Sequence, residues 1–480
     1  MNFLLVEIFM SIICLVSLII YSQKNQNNKS FLSIMLLFTI ISFLIIYESI
    51  LDVQLNIFIF NFNLKLDYIT IILKLIVIVF LLNYIYIIKN FFSHEKLYIK
   101  EYILIIWIAI IGVFFIMMSN EFFILYLALE LQNLILYIMA SLRRLRSTTI
   151  EAGMKYYIMG SFSSGLLLYG IIMLFSLFGT LDFIEISYLL KDMYFDTYEL
   201  GYFIYFLYFI IIGLLFKLGV APFHWWVPEV YDGASVVVTL FFSIIPKLSL
   251  LVVLYKLYIY ILIYVNFIFS YFFFSFSIIS IIIGFIFSLY QKKIIKFLAY
   301  SSIFNAGFFM ACFANGTYLS LISLFYFFLP YIFILLGIFF IIISYRKINN
   351  ERLTLLWDFS LLGNSNYIVG FILSFFFFSL AGIPPLAGFF GKVFIFLSLI
   401  LNQFFVLFFI LICFSVLASF YYFRVIRFIF FSNTLEYVFI KSYLSTKVLI
   451  FYFFITIYFF LFYDYFFLYF FNIYSYYIFF

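Results

Sequence analysis

Charged residues are scarce in this chain. Asp, Glu, Lys and Arg make up only 10% of its 480 residues, whereas 68% are hydrophobic and the mean hydropathy is +1.27. A soluble domain usually has about 25% charged and about 45–50% apolar residues. The composition therefore predicts an integral membrane protein whose surface faces lipid or other subunits. The net charge of +6 then indicates membrane topology, and we expect no nucleic-acid partner.

Cysteine and histidine are rarer still. The three cysteines, Cys14, Cys312 and Cys413, are isolated, so the spacing that an iron–sulfur cluster needs is absent from the sequence. Two histidines, His94 and His224, are too few for a pair of membrane haems. The sequence has no Walker or Rossmann motif either. We therefore expect no cofactor in this chain, and any redox or ATP-driven chemistry that it serves must occur in another polypeptide.

Phenylalanine and tyrosine, by contrast, are abundant, with 79 and 43 residues. Together with Ile, Asn and Lys they are the amino acids of A/T-rich codons, which indicates an A/T-biased genome of the kind many mitochondria have. The N-terminal segment MNFLLVEIFMSIICLVSLII lacks the Arg-rich amphipathic character of a transit peptide and is interpreted as the first span. We expect an organelle-encoded subunit of the mitochondrial inner membrane; an A/T-rich bacterium is the alternative source.

The hydrophobic runs predict about 14 membrane spans of roughly 20 residues each. The spans are placed at 3–21, 31–50, 68–89, 101–118, 120–141, 151–178, 200–222, 234–258, 266–289, 292–313, 316–345, 365–385 (continuing after a break to about 402), 404–428 and 446–468. When the loops are assigned alternately to two sides, most Lys and Arg residues fall on one side. The other side receives acidic residues and only three lysines, Lys65, Lys191 and Lys256. The positive-inside rule then predicts that the basic loops face the matrix or, in a bacterium, the cytoplasm.

Spans 4–8 and 9–13 resemble two five-helix units. Because five is an odd number, the second unit enters the membrane inverted relative to the first, and the fourth helix of each unit is interrupted by proline. Inverted repeats with discontinuous helices are typical of transporters. We predict an all-α polytopic membrane fold with two inverted five-helix repeats and broken helices 7 and 12. Its predicted parts are an N-terminal three-helix segment (1–100), a first repeat (101–260), a second repeat (261–430) and a C-terminal helix (431–480).

Four ionisable residues lie inside predicted spans, where a charge costs roughly 2.5–3.5 kcal/mol on insertion scales and must face protein or water. They are Glu130 in span 5, Lys217 in span 7, Lys247 in span 8 and Lys392 in span 12. Lys217 and Lys392 each lie close to a proline break. A carboxylate and lysines buried together can exchange protons, so we predict that these four residues carry protons through the membrane.

Each of these residues also has a structural interpretation. Glu130 could pair with neighbouring amide side chains, Lys217 could extend to the interface from a helix end, and Lys392 could cap the C-terminus of the broken helix. Lys247 could form a purely structural pair. Lys74, in span 3, is a further intramembrane lysine with weaker support for a role in proton transfer.

His224, in the segment APFHWW, follows the first break and is a candidate proton relay to the bulk phase, because histidine titrates near neutrality. The alternative is a hydrogen-bonded interfacial residue beside Trp225 and Trp226. Glu151 and Lys155 form an i,i+4 pair, which usually only stabilises a helix.

A family resemblance is carried by four segments: EAGMKYYIMGSFSSGLLLYG, FKLGVAPFHWWVPEVYDGAS, KIIKFLAYSSIFNAGF and SLAGIPPLAGFFGKVF. In this order, over roughly residues 101–430, they resemble subunit 2 of NADH–quinone oxidoreductase, one of the antiporter-like subunits of respiratory complex I. The FH-x-W-x-P-x-VYDG stretch resembles subunit 2 more than its paralogues, subunits 4 and 5. One departure is the second tryptophan of APFHWW, where the family usually has a single aromatic residue after the histidine.

The resemblance implies a 14-helix fold and a proton channel whose centre maps onto Glu130, Lys217, Lys247 and Lys392. It implies that NADH, FMN, iron–sulfur clusters and ubiquinone are bound by partner subunits. It also implies that the partners are other membrane-arm subunits, including antiporter-like subunit 4 and small membrane subunits, and membrane lipids. The function expected on this basis is proton translocation as a subunit of NADH:ubiquinone reductase. An independent or multisubunit cation/proton antiporter and a structural subunit without pumping activity remain as alternatives.

Overall fold

A computed structural model describes residues 7–13, 28–51, 57–59, 63–95, 99–143, 146–192, 197–347, 352–431, 441–442 and 446–461. Within these ranges the chain is almost entirely α-helical, and its short strands form two antiparallel pairs. The strand pairs are β1 (Ile57–Ile59) with β2 (Leu64–Leu66), and β3 (Tyr345–Arg346) with β4 (Lys441–Ser442).

The helices follow the apolar runs of the sequence. The helices of the N-terminal half are α1 (Asn28–Leu51), α2 (Tyr68–Glu95), α3 (Ile99–Met118), α4 (Phe122–Ala140), α5 (Ser147–Phe178), α6 (Phe183–Asp192), α7 (Thr197–Leu218), α8 (Trp226–Gly233) and α9 (Val236–Tyr260). Those of the C-terminal half are α10 (Asn266–Tyr290), α11 (Ile294–Asn315), α12 (Tyr318–Ser344), α13 (Asp358–Ser365), α14 (Tyr367–Ala381), α15 (Ala387–Leu401), α16 (Phe405–Phe431) and α17 (Thr446–Leu461).

Ten helices of the described part are long and apolar enough to cross a membrane, and four shorter apolar helical stretches accompany them. Each predicted span coincides with a helix wherever the structure describes it, and span 12 is divided between α14 and α15. Of the first span only residues 7–13 are described, and span 14 extends beyond the described residues. The prediction of an all-α polytopic membrane fold is confirmed.

The chain divides into two compact units. Unit 1 comprises Met1–Leu218 and Gly233–Tyr264, and unit 2 comprises Gly219–Asp232 and Val265–Phe480. The separate N-terminal segment and C-terminal helix that the sequence predicts stay predictions, and most of the predicted C-terminal part lies outside the described residues.

In unit 1 the central helix is α9. Every residue in its most apolar stretch is buried, and it packs against α3, α4, α6 and α7. Helices α5 and α7 approach closely at Gly213, where a Cβ atom would lie 2.9 Å from the carbonyl oxygen of Ser163. Side chains on the outer faces of α4 and α5, such as Leu134 and Phe162, are exposed and are therefore suited to contact with lipid or another subunit.

In unit 2 the most buried helices are α11 and α12. Helix α11 packs along α10, and α12 packs along the half-helix α15. A Cβ atom on Gly307 would lie 3.0 Å from the carbonyl oxygen of Ser277, which explains how α10 and α11 pack so closely. Helix α14 packs on α16, so the two halves of the broken helix have different neighbours.

Both predicted breaks are present, and each begins with a glycine. Helix α7 ends at Leu218, earlier than the predicted end of span 7, because Gly219 adopts a φ of +73°. Helix α14 ends before Gly382, whose φ is +83°. Glycine adopts this left-handed conformation without the steric cost that a Cβ atom brings. Each break also contains a cis-proline peptide bond, at Ala221-Pro222 and Pro384-Pro385.

Candidate functional site

Lys217 and Glu130 form an ion pair between two helices of unit 1. Lys217 lies in the last turn of α7, Glu130 lies in the middle of α4, and Lys217 Nζ is 3.7 Å from Glu130 Oε1. The side chains are 7% and 27% exposed, respectively. Lys217 Nζ is buried and makes no hydrogen bond to the described residues, since 3.7 Å is too long for one. Electrostatic attraction alone therefore holds this pair together.

The contacts of Glu130 and Lys217 fit parts of both the proton-transfer and the structural interpretation of these residues. Glu130 Oε1 accepts a hydrogen bond of 3.3 Å from Asn133, which is the local pairing that the structural interpretation predicted. Lys217 lies at the C-terminal end of its helix, where the helix dipole favours a positive charge. The ammonium does not extend to the surface, however, because its buried Nζ faces a carboxylate inside unit 1.

Lys247 is buried in the central helix α9, directly after Pro246. Proline has no N–H group, so the carbonyl oxygen of Phe242 loses its usual intrahelical partner beside this lysine. Among the described residues, none offers Lys247 a carboxylate or a hydrogen bond. The structural pairing proposed as an alternative for Lys247 is thus not observed within the described part of the chain.

A polar contact joins α4 and α9, two positions along each helix from Glu130 and Lys247. Ser249 Oγ lies 3.4 Å from Gln132 Oε1, and both side chains are buried. The Nε2 atom of Gln132 has no hydrogen-bond partner among the described residues. A buried amide without a partner is costly and is usually satisfied by water. This contact is therefore a suitable place for a water molecule between the helices that carry Glu130 and Lys247.

Lys392 lies in the half-helix α15 of unit 2 and is buried. Its Nζ donates hydrogen bonds to the carbonyl oxygens of Leu380, at 3.0 Å, and Ala381, at 2.8 Å. These carbonyls end α14, so Lys392 caps the first half of the broken helix, which was the structural alternative for this residue. The ammonium also lies 5.6 Å from the centre of the Phe308 ring, a favourable cation–π distance.

His224 lies in the turn between α7 and α8 and belongs to unit 2. Its Nδ1 is 3.2 Å from the carbonyl oxygen of Pro222, and its ring stacks on Trp225. Burial lowers the pKa of His224 below its ordinary value, although the contact with the Pro222 carbonyl opposes this shift. The described contacts match the hydrogen-bonded interpretation, and the relay role of His224 stays a prediction.

Three further lysines of unit 1 are buried, although the sequence indicates a role in proton transfer only weakly for Lys74 and not at all for Lys256 and Lys65. The loop assignment counts Lys256 and Lys65 among the loop residues, but Lys256 lies within α9 and Lys65 lies in β2, and both are buried. Lys74 forms a buried ion pair with Glu7. The apolar residues on both sides of Lys256, in VVLYKLYIY, were a signal that could have identified its burial.

Unit 2 contains a buried group of uncharged polar side chains, which the sequence did not indicate. Asn305, Tyr331, Tyr421 and Tyr422 are all buried, and the rings of Tyr421 and Tyr422 are 4.4 Å apart. Such groups can hold water by hydrogen bonding. As for metals, the described residues contain no cluster of three or more His, Cys, Asp or Glu side chains.

Residues 119–418 match the family model described as NADH:quinone oxidoreductase/Mrp antiporter, transmembrane region. The chain belongs to the NADH:quinone oxidoreductase/Mrp antiporter family. Within this family, NADH-quinone oxidoreductase subunit N of Pelagibacter ubique is 32% identical over 438 residues, which cover 91% of each chain. NADH-ubiquinone oxidoreductase chain 2 of Marchantia polymorpha is 34% identical over 376 residues, covering 77% of this chain and 76% of the relative. The predicted membership of the antiporter-like subunits of complex I is confirmed.

Chains of three solved membrane complexes share the fold. A chain of the archaeal membrane-bound sulfane sulfur reductase superposes with a TM-score of 0.84 at 18% identity, covering 98% of this chain and 96% of the other. A chain of respiratory complex I from Thermus thermophilus gives 0.77 at 19% identity, with 96% and 97% coverage. A chain of the Mrp complex from Dietzia gives 0.74 at 14% identity, with 89% and 80% coverage. At these identities the similarity shows the fold alone.

Proposed function

We propose that this chain is a proton-translocating membrane-arm subunit of a respiratory NADH:quinone oxidoreductase. The observation that carries the proposal is the pairing of the buried Lys217 ammonium with the half-buried Glu130 carboxylate, in a chain whose relatives are named subunit N or chain 2 of that enzyme. In this proposal the redox chemistry takes place in partner subunits, which bind NADH, FMN, iron–sulfur clusters and ubiquinone. This chain binds none of them and contributes to the enzyme through proton transfer.

The Lys217–Glu130 distance suggests how transfer begins. The pair is 3.7 Å apart and has no hydrogen bond, so a small movement of α4 or a change of charge near Glu130 alters the attraction directly. When the attraction weakens, the Lys217 ammonium gives up a proton, which passes through Lys247 in the same unit. In the proposed sequence the proton then reaches Lys392 of unit 2, which exchanges it with the positive side of the membrane.

Lys247 and Lys392 suit different steps of the proposed proton transfer. Lys247 is buried without a carboxylate among the described residues, so little would stabilise its charged form and it would hold a proton only transiently. Lys392 keeps two carbonyl acceptors, which stabilise the ammonium without being able to take its proton. A proton leaving Lys392 therefore needs a separate acceptor, and in this proposal the acceptor is water.

The location and the partners are proposed with the function. The curated relatives include both bacterial proteins and the Marchantia chain. The A/T-biased composition favours the mitochondrial inner membrane, with the basic loops facing the matrix. The proposed neighbours are other membrane-arm subunits, including antiporter-like subunit 4 and small membrane subunits.

An antiporter without a redox partner is a second candidate, because the matching family also includes Mrp antiporters and the Mrp complex shares the fold. The two candidates are separated by a native gel of solubilised source membranes, stained for NADH dehydrogenase activity and analysed by mass spectrometry. The chain is expected in the large active band. If it runs in a small complex without NADH activity, cation/proton exchange in liposomes becomes the test.

Within the assembled complex, Lys217→Ala tests the role of the ion pair. We expect fewer protons translocated per NADH oxidised, because the first lysine of the path is lost. The measurement is pH-dye quenching in membrane vesicles, with NADH oxidation recorded in the same sample. Normal proton translocation by an assembled Lys217→Ala complex would reject the proposed role of Lys217.

A further inference from the structure

Unit 1 contains a buried ionic cluster that includes none of Glu130, Lys217, Lys247, Lys392 and His224. It lies where α3 and α9 end and where β2 leads into α2. Its members are Glu7, Lys65, Asp67, Lys74, Lys256 and Tyr260. The five charged members are all buried. Three lysines and two carboxylates leave an excess of one positive charge, which is unusual inside a membrane protein and points to a function.

Two of the three lysines have a carboxylate partner. Lys74 forms an ion pair with Glu7. Lys65 Nζ lies 3.2 Å from Asp67 Oδ1 and donates a hydrogen bond of 2.7 Å to the hydroxyl of Tyr260. Burial opposes the charge on Lys65, but Asp67 and Tyr260 outweigh it and raise the pKa of Lys65. These two ammonium groups are therefore compensated inside the protein.

Lys256 differs from both. Its Nζ donates a hydrogen bond of 3.1 Å to the carbonyl oxygen of Ser119, and no carboxylate of the described residues lies within ion-pair distance. The charged groups that act on it are Asp67, Lys65 and Lys74, of which two are positive. The charge on Lys256 is thus the least compensated of the three, so a neutral, deprotonated state of this residue is the easiest to reach.

Carboxylates of two segments lie beside the loop whose Ser119 carbonyl accepts the hydrogen bond from Lys256. Glu121 follows two residues after Ser119, and its backbone forms an isolated antiparallel β-bridge with the backbone of Asp182. Burial and the neighbouring Asp182 raise the pKa of Glu121, and burial and Glu185 raise that of Asp182. Asp182 Oδ1 is buried and has no hydrogen-bond partner among the described residues. Glu121, Asp182 and Glu185 define what we name the carboxylate face of unit 1.

Further polar side chains lie on the interior side of Lys256, along helix α9. Ser249 precedes Lys256 by two helical turns, so both side chains lie on the same face of α9, about 10 Å apart along its axis. Ser249 contacts Gln132, whose Nε2 atom has no partner, and Gln132 lies two residues from Glu130. Glu130 lies on nearly the opposite side of α4 from Gln132, because two residues turn a helix by about 200°. The polar groups of the α4–α9 interface therefore extend from Gln132 toward Lys256, with a gap that water would have to fill.

We propose that Lys256 is a second proton-binding site of unit 1, through which protons exchange between the interior of the unit and its carboxylate face. This inference rests on the proposed proton translocation and adds a branch to it. In the exchange step an N–H bond of the Lys256 ammonium breaks, the amine becomes neutral, and the proton passes through water to Asp182 or Glu121 and then to the bulk phase. A proton released by the Lys217 ammonium and conducted through water in the interior of the unit then re-forms the N–H bond of Lys256, so that Lys217 loses the proton that Lys256 gains.

The test compares Lys256→Arg with Lys256→Met in the assembled complex. Arginine keeps the positive charge and can donate to the Ser119 carbonyl, but it does not release its proton at any physiological pH. A purely structural role is therefore satisfied by arginine, whereas a proton-exchange role is not. Lys191→Arg is the matched control, because Lys191 is an exposed lysine of the neighbouring helix α6 and its ammonium lies over the Tyr188 ring, away from the cluster.

We expect Lys256→Arg to lose proton translocation per NADH to the same extent as Lys256→Met, while Lys191→Arg retains it. If Lys256→Arg pumps normally, Lys256 is only a cap for the loop after α3, and the inference is overturned. If Lys256→Arg does not assemble, the variant Glu121→Gln/Asp182→Asn decides: reduced pumping supports the exchange site, and normal pumping rejects it. Lys217→Ala, measured in parallel, separates this inference from the main proposal. If Lys217→Ala loses pumping while Lys256→Arg pumps normally, only the inference about Lys256 is rejected.

Discussion

Lys392 and Ala381 are joined across the second helix break by a hydrogen bond of 2.8 Å from the ammonium to the backbone carbonyl. Lys217, which lies beside the first break, faces a carboxylate at 3.7 Å instead. The two lysines occupy corresponding positions in the sequence, but their partners differ in kind. A backbone carbonyl stabilises the ammonium permanently, whereas a carboxylate can itself gain or lose charge. Regulation by a change of charge is therefore possible at Lys217 and not through the described partners of Lys392.

Replacement of Glu130 tests this difference. Glu130→Gln keeps the size of the side chain but removes the attraction between the carboxylate and the Lys217 ammonium. For two unit charges about 4 Å apart at an effective dielectric constant of about 20, this attraction is on the order of 4 kcal/mol before the cost of desolvation is subtracted. We expect severalfold weaker proton translocation at a nearly unchanged rate of NADH oxidation in uncoupled vesicles. The measurement is dye quenching against NADH oxidation.

Glu151→Gln is the control for that experiment. Glu151 also forms an ion pair with a lysine, Lys155, and the distance of 2.7 Å is shorter than that of the buried pair. The side chains are 63% and 43% exposed, so solvent screens the attraction and little is lost when it is removed. Equal effects of the two replacements would contradict the importance of burial for the Glu130 pair.

Lys392 is expected to show two separable roles. Lys392→Met removes the donor to the carbonyls of Leu380 and Ala381, and an unmade hydrogen bond to a buried group costs about 1–3 kcal/mol. We expect it to lower both the thermal inactivation temperature of the purified complex and proton translocation. Lys392→Arg keeps a charged donor and should retain thermal stability but not translocation. A Lys392→Arg complex that pumps normally would leave this lysine with the capping role alone.

The sequence predicted the buried charges better than it predicted their partners. Lys217, Lys247 and Lys392 were identified because long apolar stretches flank them and a charge there is costly. The sequence did not indicate which acceptors they meet: the carbonyls of Leu380 and Ala381 become available only because Gly382 turns the chain. Lys256 was missed because it lies near the end of a predicted span, where the boundary between helix and loop is uncertain by several residues.

The sequence also does not predict which distant parts of the chain are in contact. Glu7 and Lys74 are 67 positions apart, and Lys65 and Tyr260 are 195 apart. Hydropathy predicts that Glu7 and Lys74 lie in membrane spans and that Lys65 and Tyr260 lie just outside span ends, but it contains no information on which helices are neighbours. Pairing of this kind depends on helix packing, which is determined by small residues and side-chain shape.

His224 predicts a pH dependence of stability. Its pKa is lowered by burial in the folded protein, whereas the ordinary value is 6.5. Above about pH 6.5 the residue is neutral in both states and has no effect. As the pH falls below this value the unfolded chain takes up a proton that the folded chain resists, so the folded state loses stability. We expect the thermal inactivation temperature to fall less between about pH 7.5 and about pH 5.5 in His224→Gln than in the unmodified complex. An identical fall in both would show that His224 does not contribute to it.

Gly388 lies at the start of α15, and we expect that the second break does not tolerate a side chain at this position. A Cβ atom there would lie 1.9 Å from the carbonyl oxygen of Ser379, which belongs to the backbone of α14 and cannot move independently. Gly388→Ala must therefore separate the two half-helices and displace Lys392 from its carbonyl partners, so we expect loss of assembled complex on native gels. Gly165→Ala is the matched control, because Gly165 is also a helical glycine and a Cβ atom there meets nothing within 4 Å. Alanine favours a helix over glycine by roughly 0.5–1 kcal/mol, so this variant should assemble fully. If Gly388→Ala assembled as well as Gly165→Ala, the close packing of α14 on α15 would not be required for the site around Lys392.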